Sequence, residues 1–185
     1  HITLHVERIP IIQPRTYTQC DDNHDGFFAF NTTNIQSDVL NGLTNVTLSY
    51  WDANNNPLPS PLPNPFNTTS QTIRVRATNN TTSACYYEST ITFKVDDLPE
   101  VFAIPTSLIT VCDNEANTIN QDGIYPFDTS SFQNMILGTQ TGMIVNYFDG
   151  NGNTLSSPLP NPFFSATQNI RVEVINPLNT TCKAY

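Results

Sequence analysis

Basic residues are scarce in this chain of 185 residues, which has 7 Lys and Arg against 16 Asp and Glu and a formal net charge of −9. An acidic surface repels phosphate backbones, so we expect no nucleic-acid partner. Charged residues of both signs make up only 12% of the chain, yet no apolar run approaches the ~18 residues that a membrane span requires. The chain is therefore expected to contain no membrane span.

Histidine is equally scarce, since His1, His5 and His24 are the only three and the second half of the chain has none. Nucleophilic chemistry that depends on histidine is excluded there. The sequence also lacks a phosphate-binding loop, a dinucleotide fingerprint and a hydrolase elbow. A carboxylate pair for glycoside hydrolysis stays an open alternative, although no motif marks one. We predict that the chain is not an enzyme.

An internal repeat organises the sequence. Residues 60–66 (SPLPNPF) return as residues 157–163, an offset of 97 residues, and the same offset relates Asp25 to Asp122, Tyr50 to Tyr147 and Cys85 to Cys182. Residues 2–10 (ITLHVERIP) also parallel residues 91–99 (ITFKVDDLP), with an offset of 89. Such periodicity indicates tandem modules. We predict the last strand of a preceding module at 1–10, module one at 11–99, and module two at 100–185, truncated before its last strand.

Apolar residues alternate with polar ones in several segments of each module, which predicts antiparallel strands with one face on a core. The segments include residues 46–50, 73–77 and 91–95 in module one, and residues 143–147 and 170–174 in module two. Asp52 and Asp149 open Asn-rich segments that we interpret as hairpin turns. One short helix is predicted per module, at residues 31–42 and from Asp128 to Gly138. These features predict an all-β chain of tandem Ig-like β-sandwich modules of roughly 90 residues.

Each module has two cysteines, one near its start and one just before its last strand: Cys20 and Cys85, then Cys112 and Cys182. Four cysteines allow three pairings, and only Cys20–Cys85 with Cys112–Cys182 keeps each bridge inside a repeat. We therefore expect these two disulfides, with buried free thiols as the alternative. Disulfides predict an extracellular or cell-surface location.

The acidic loop of module one contains Asp21, Asn23 and Asp25 in the D-x-N-x-D-G order that begins a calcium loop. Oxygen atoms at alternate positions converge on one ion, and Gly26 permits the sharp turn. The Glu that completes such a loop is replaced by Thr32. The alternative is an Asx-rich turn that needs no ion.

Module two keeps part of this loop, with Asn120 and Asp122 as the corresponding candidate ligands. Thr118 stands in place of the first Asp, so Asp113 or Glu115 would have to substitute for it. Calcium is the only cofactor that the sequence predicts.

Two aromatic residues are candidates for binding a ligand such as a polysaccharide. Trp51 is the only tryptophan, and by alternation it faces away from Val46, Leu48 and Tyr50; Tyr87 follows Cys85 in a predicted strand. Either ring could stack on a sugar. The alternative for Trp51 is packing under the proline-rich segment 57–66, because large aromatic residues are mostly buried.

Several motifs occur together in this chain: CDDNHDG at 20–26, the PLPNPF segment, QTIRVR at 71–76 and the late Cys-Tyr at 85–86. Their combination resembles the tandem repeats of large Bacteroidota surface proteins, similar to gliding-motility adhesins and other cargo of the type IX secretion system. The resemblance implies a long protein on the cell surface and assigns no binding residues.

We predict a structural and adhesive repeat region of a secreted or cell-surface protein. Its disulfide-stapled modules, with neighbouring modules of the same chain as partners, would form a stalk that projects or forms an adhesive surface. Two alternatives remain: a carbohydrate-binding module, and an accessory region of a secreted hydrolase.

Overall fold

The computed structural model describes residues 1–114 and 116–185. These residues divide into two compact units, His1–Asp97 and Leu98–Tyr185. Both units consist mainly of strands arranged in several sheets, with few and short helices, so the predicted all-β, Ig-like fold class is confirmed. Among the described residues, no helix has the length and apolar character needed to cross a membrane.

The first unit contains seven strands and one helix: β1 (Arg15–Cys20), β2 (Phe28–Phe30), α1 (Ile35–Leu40), β3 (Val46–Trp51), β4 (Pro57–Leu58), β5 (Phe66–Thr68), β6 (Gln71–Asn79) and β7 (Tyr86–Asp96). Five strands form one sheet in the order β1-β7-β6-β3-β4, and β2 pairs with β5. Strand β1 runs parallel to β7 and ends with Cys20 opposite Asp96. Residues 1–14 form neither a helix nor a strand.

Phe93 of β7 lies at the centre of the first unit's core and is completely buried. Its ring centroid lies 4.9 Å from that of Phe30, 5.2 Å from that of Phe66 and 5.9 Å from that of Tyr17. Because Phe30 and Phe66 belong to the two-stranded sheet, this one side chain joins the two sheets of the unit. Burial of a large apolar side chain of this kind stabilises a fold by ~1.5–3 kcal/mol.

The second unit contains α2 (Thr106–Ile109), a 3-10 turn (Thr118–Asn120), β8 (Tyr125–Phe127), α3 (Phe132–Leu137), β9 (Ile144–Phe148), β10 (Thr154–Leu155), β11 (Phe163–Ser165), β12 (Arg171–Ile175) and β13 (Lys183–Ala184). Its larger sheet has the order β10-β9-β12-β13, and β8 pairs with β11. Val174 lies opposite Ala184 in this sheet, just as Ala77 lies opposite Tyr87 in the first unit. The two units therefore share the same register.

The predicted helices form in both units, and each is shorter than the range predicted for it. Helix α1 buries Ile35 and Val39, and α3 buries Phe132 and Ile136. The predicted range 31–42 is too long, because Asn41 already adopts a left-handed conformation with φ 45° and ends the helix.

The repeated SPLPNPF segment holds the start of each helix against the sheets. In the first unit, the Thr32 backbone N–H donates to Asn64 Oδ1 at 3.1 Å and the Thr32 hydroxyl donates to the Pro63 carbonyl at 2.8 Å. In the second unit, Thr129 makes the same two bonds with Asn161 and Pro160, at 3.1 and 2.7 Å. The strongest repeat in the sequence therefore has a structural role in both units.

The predicted hairpin turns are confirmed. Asp52 Oδ1 accepts hydrogen bonds from the backbone N–H groups of Asn54 and Asn56, each at 2.8 Å, between β3 and β4. Asp149 does the same for Asn151 and Asn153 between β9 and β10, at 2.9 and 2.8 Å. The aspartates therefore serve as turn acceptors for the backbone.

The units differ at the edge of the larger sheet. Strand β7 has 11 residues and pairs with β6 from Tyr86 to Phe93. Its counterpart β13 pairs with β12 at Val174 and Ile175, and the sequence ends one residue later, at the position that corresponds to Glu88 of β7. Cys112 corresponds to Cys20, so residues 107–112 correspond to β1. They form no strand in the second unit.

Candidate functional site

The predicted ligand residues Trp51 and Tyr87 are not brought together. Trp51 lies opposite Arg74 on β6, whereas Tyr87 lies opposite Ala77, which is completely buried. Because residues that face each other across a sheet share one side, Trp51 and Tyr87 belong to opposite faces.

A cluster of aromatic and charged residues does form on the Trp51 face. The Arg74 guanidinium lies 4.4 Å from the Trp51 ring centroid, and that of Arg76 lies 4.4 Å from the Tyr86 ring centroid. Glu88 Oε1 joins the two arginines, at 3.0 Å from Arg74 Nη1 and 2.7 Å from Arg76 Nη2. We call these five residues the outer-face cluster. Trp51 is therefore a partly buried ring packed against arginine, and not an open aromatic surface.

Sequence reasoning missed four members of the outer-face cluster: Arg74, Arg76, Tyr86 and Glu88. The signal was available in part, because Arg74 and Arg76 alternate with buried residues of β6 and must share a face. The register that places Tyr86 and Glu88 on that same face is a long-range property of the sheet, which the local pattern does not contain.

The acidic loop of the first unit folds around the carboxylate of Asp21, which is only 4% exposed. This carboxylate accepts hydrogen bonds from the backbone N–H groups of Gly26, Asp25 and Asn23, at 2.6, 3.3 and 3.4 Å. Burial raises the pKa of Asp21, but these amide bonds outweigh it and hold the pKa below its usual value. The loop is therefore an Asx-rich turn in which the first predicted calcium ligand is already occupied by amide groups.

The other predicted ligands of this loop also have partners within it. Asp25 accepts from the Phe27 N–H at 2.8 Å and from Asn23 Nδ2 at 2.9 Å. In the second unit, Gly123 N–H donates to Asp113 at 2.8 Å, so Asp113 takes the position that Asp21 holds in the first unit.

Asp122 in the second unit accepts from the Ile124 N–H at 2.9 Å, and Asn120 ends the 3-10 turn. Glu115, the other predicted substitute, lies outside the described residues. Within residues 1–114 and 116–185, no group of three or more histidine, cysteine, aspartate or glutamate side chains is arranged to hold a metal. Calcium binding stays a prediction, which calorimetric titration of the chain and of its Asp21→Ala, Asp25→Ala variant would check.

Equivalent cysteines occupy equivalent hairpins in the two units. The Asn79 N–H donates to the Cys85 carbonyl at 2.9 Å, and the Asn176 N–H donates to the Cys182 carbonyl at 3.0 Å. The oxidation states of these cysteines nevertheless differ. Cys20 and Cys182 are disulfide-bonded, whereas Cys85 and Cys112 are free thiols.

The predicted pairs Cys20–Cys85 and Cys112–Cys182 are therefore wrong in this structure, and the geometry of β7 explains why. Cys20 lies opposite Asp96 at the end of β7, whereas Cys85 immediately precedes its first residue. Eleven extended residues separate these two points by roughly 35 Å. A disulfide needs Cα atoms within about 7 Å. A bridge inside the first unit is thus impossible without unfolding its longest strand, β7.

Residues 16–99 match the family model FIDD, the Flavobacterium inter-domain disulphide bond domain. No curated protein and no solved structure matches the chain. The FIDD match covers β1 to β7 of the first unit and includes both of its cysteines.

The FIDD description agrees with the cysteine pattern, because the first unit has one disulfide-bonded cysteine and one free thiol instead of an internal bridge. The match also supports the resemblance to Bacteroidota surface proteins. The closer likeness to gliding-motility adhesins and to type IX secretion cargo stays a prediction.

Proposed function

We propose that this chain is a structural repeat region of a secreted or cell-surface protein, in which disulfide bonds between modules build a stalk that projects or forms an adhesive surface. One observation carries the proposal. The two disulfide-bonded cysteines, Cys20 and Cys182, come from different repeats, while each repeat retains one free thiol. Disulfides persist in oxidising compartments, which supports an extracellular location.

The free thiols occupy positions from which the same kind of bridge could be formed with further modules of an array. Cys112 corresponds to Cys20 in the repeat, and Cys85 corresponds to Cys182. In an array of such modules, Cys112 would bond the late cysteine of a following module, and Cys85 the early cysteine of a preceding one.

Bridges of this kind would form overlapping covalent loops. A loop closed by a Cys20–Cys182 bridge would span 162 residues and would contain Cys112, where the next loop would begin. In the chain-entropy model, a loop of this length stabilises the folded state by about 5 kcal/mol. Tension along the array would then pass from bridge to bridge, so that no module is pulled out to its full length. That property suits a stalk which bears load at a cell surface.

Single-molecule pulling of the chain, held at its two ends, tests this proposal. In the oxidised protein we expect that the residues between Cys20 and Cys182 add nothing to the contour length. Reduction should release them and add roughly 550 Å of contour length. A Cys85→Ser, Cys112→Ser variant should behave like the parent protein. Full extension of the oxidised protein, or release in two shorter steps from separate loops, would contradict the proposal.

A second candidate function, carbohydrate binding, is favoured by the outer-face cluster alone. Trp51 and Tyr86 offer aromatic rings beside two arginines and a glutamate, and Tyr86 is 55% exposed. A glycan array with the parent chain and the Trp51→Ala variant would separate the two functions. A stalk should bind no glycan, whereas a carbohydrate site should give signals that the variant loses.

A further inference from the structure

The outer face of the larger sheet in the first unit collects basic residues, although the chain as a whole has a net charge of −9. Arg74 and Arg76 alternate with completely buried residues of β6, and Lys94 follows the buried Phe93 on β7. Because successive residues of a strand point to opposite sides of the sheet, all three basic side chains lie on the outer face. They are three of only 7 Lys and Arg residues in the chain.

The second unit repeats this distribution. Arg171, the counterpart of Arg74, lies opposite Phe148 on β9, and its guanidinium lies 3.9 Å from the Phe148 ring centroid. Lys183 lies opposite Ile175, which is four residues from Arg171 on β12 and therefore shares its face. The outer faces of the two units thus carry five of the 7 basic residues.

The arginines of the outer-face cluster share a single carboxylate. Arg74 Nη1 and Arg76 Nε donate to the same oxygen, Glu88 Oε1, at 3.0 and 2.8 Å. Lys94, by contrast, has its own carboxylate partner, Asp96, at 2.9 Å. Two guanidinium charges therefore face one carboxylate charge, and the positive charge that remains is concentrated at the two arginines.

These arginines are accessible to a ligand. Each guanidinium carries five N–H donors, and the side chains of Arg74 and Arg76 are 36% and 34% exposed. The rings of Trp51 and Tyr86, each 4.4 Å from one of the guanidinium groups, restrict the orientation of both. A guanidinium that is held in place beside an aromatic ring is well suited to bind a planar carboxylate through two N–H groups.

Hydroxyl groups surround the cluster on the same face. Thr90 lies opposite Arg74 in the β6–β7 ladder, and Thr72 lies opposite Thr92, with their Oγ1 atoms 3.0 Å apart. Thr72 and Thr90 are exposed. Hydroxyl groups donate and accept hydrogen bonds, so this face also offers partners to the hydroxyl groups of a sugar chain.

We propose that the outer face of the first unit binds an acidic polysaccharide, in which Arg74 and Arg76 hold the carboxylate of a uronic-acid residue. The inference rests on the carbohydrate-binding function that the outer-face cluster supports, and it names the class of glycan. An acidic peptide would match the charge of the arginines equally well. The rings of Trp51 and Tyr86 favour a sugar, because its apolar C–H face packs on aromatic surface beside the carboxylate.

Isothermal titration calorimetry of the chain with oligomers of galacturonic acid and of mannuronic acid tests this inference. We expect at least one of them to bind, with an affinity that falls at least about threefold from low to high salt. The methyl-esterified galacturonic-acid oligomer has the same sugar backbone without the charge. If galacturonic acid is bound, its ester should bind at least about tenfold more weakly.

Two matched variants locate the site. Arg76→Gln removes a charged donor from the cluster and should weaken uronate binding at least about fivefold. Arg8→Gln removes the same charge from a position outside the sheets and should change binding by no more than about twofold.

Glu88→Gln gives an independent readout, because it removes the carboxylate that competes with the ligand for both guanidinium groups. It should strengthen uronate binding about two- to fivefold. If the arginines had a structural role alone, this variant would lose stability without any gain in affinity.

Three results would overturn the inference. They are the absence of binding to both uronates, equal binding of the charged and esterified oligomers, and a poly-glutamate peptide that binds as tightly as the uronates. The last result would assign the face to acidic peptides, such as the acidic loop of a second copy. The glycan array with Trp51→Ala decides separately whether a neutral glycan binds, and the pulling experiment decides the stalk function.

Discussion

Ile73 and Val75 are completely buried in the first unit, whereas their counterparts Ile170 and Val172 in the second unit remain partly exposed. The strands β2 to β6 have counterparts in the second unit, and both units share the proline-rich segment against the helix and the Asp-centred hairpin turn. They differ in the presence of the long β7 and of β1, which pairs with it. In the first unit β7 covers Ile73 and Val75 and also pairs with β1, whereas the sequence ends at the third residue of the counterpart of β7.

The largest loss of stability is expected from truncating Phe93, which lies at the centre of the first unit's core. Phe93→Ala leaves a cavity between the two sheets and should lower the free energy of unfolding of the first unit by about 3–5 kcal/mol. Trp51 is the only tryptophan, so its fluorescence during urea unfolding reports on the first unit. Phe164 is 67% exposed, and Phe164→Ala should change stability by less than about 0.5 kcal/mol. A loss below about 1 kcal/mol for Phe93→Ala would contradict the central position assigned to this ring.

A smaller difference is expected at the acidic loops. Asp21→Ala removes the acceptor for three backbone amides and should destabilise the first unit by about 1–3 kcal/mol. Asp113→Ala removes the bond to Gly123 from a less buried position and should have a smaller effect on the second unit. Urea unfolding followed by circular dichroism and Trp51 fluorescence compares the two variants. Equal losses would show that the two loops are equally structured.

The contribution of Asp21 should also depend on pH. Because amide hydrogen bonds hold the folded-state pKa below its unfolded value, the ionised carboxylate stabilises the fold. This contribution is fully present above the unfolded value of about 3.9 and is lost as the pH falls through the folded-state pKa. The parent and Asp21→Ala should thus differ at neutral pH and converge in acid. A constant difference across this range would contradict the assignment.

Both units hold the start of the helix to the proline-rich segment by the same hydrogen bonds. Matched substitutions in the two units should therefore lower stability by similar amounts. Thr32→Val and Thr129→Val each remove a hydroxyl that donates to a proline carbonyl, and each should cost about 1 kcal/mol. Thermal unfolding of the two single variants and of the double variant measures this. A loss confined to one unit would indicate that the repeated motif has different roles in the two modules.

The smallest losses of stability are expected from substitutions of arginines on the outer faces of the sheets. Arg171 lies 3.9 Å from the Phe148 ring centroid, as Arg74 lies 4.4 Å from that of Trp51. Arg74→Ala also breaks the ion pair with Glu88, so it should cost about 0.5–1 kcal/mol, and Arg171→Ala somewhat less. Denaturant titrations at low and high salt would separate the ionic part. A larger loss for Arg171→Ala would reverse this ranking.

Much of the fold follows from local patterns in the sequence. The alternation around Leu48, Ile73 and Ile91 marks the strands, because residues two apart share a face of a sheet. The apolar spacing of Ile35 and Val39 marks α1. Because each pattern occurs in both modules, its presence in one module supports the element predicted from the other.

The cysteine pairing could not be predicted in the same way, because it depends on contacts distant in sequence. The repeat places Cys20 and Cys85 in one module, which makes an internal bridge seem natural. The parallel pairing of β1 with β7 sets Cys20 beside Asp96, and the full length of β7 then separates it from Cys85. Neither the alternation nor the spacing of the cysteines contains that register.

The cysteine pairing of this chain, produced by itself and kept oxidised, tests the account most directly. Digestion without reduction, after blocking free thiols, followed by mass spectrometry would identify the linked peptides. The account predicts one linked pair that contains Cys20 and Cys182, with blocked thiols at Cys85 and Cys112. Linked peptides joining Cys20 to Cys85 and Cys112 to Cys182 would contradict it, because each module would then be stapled to itself and not to its neighbour.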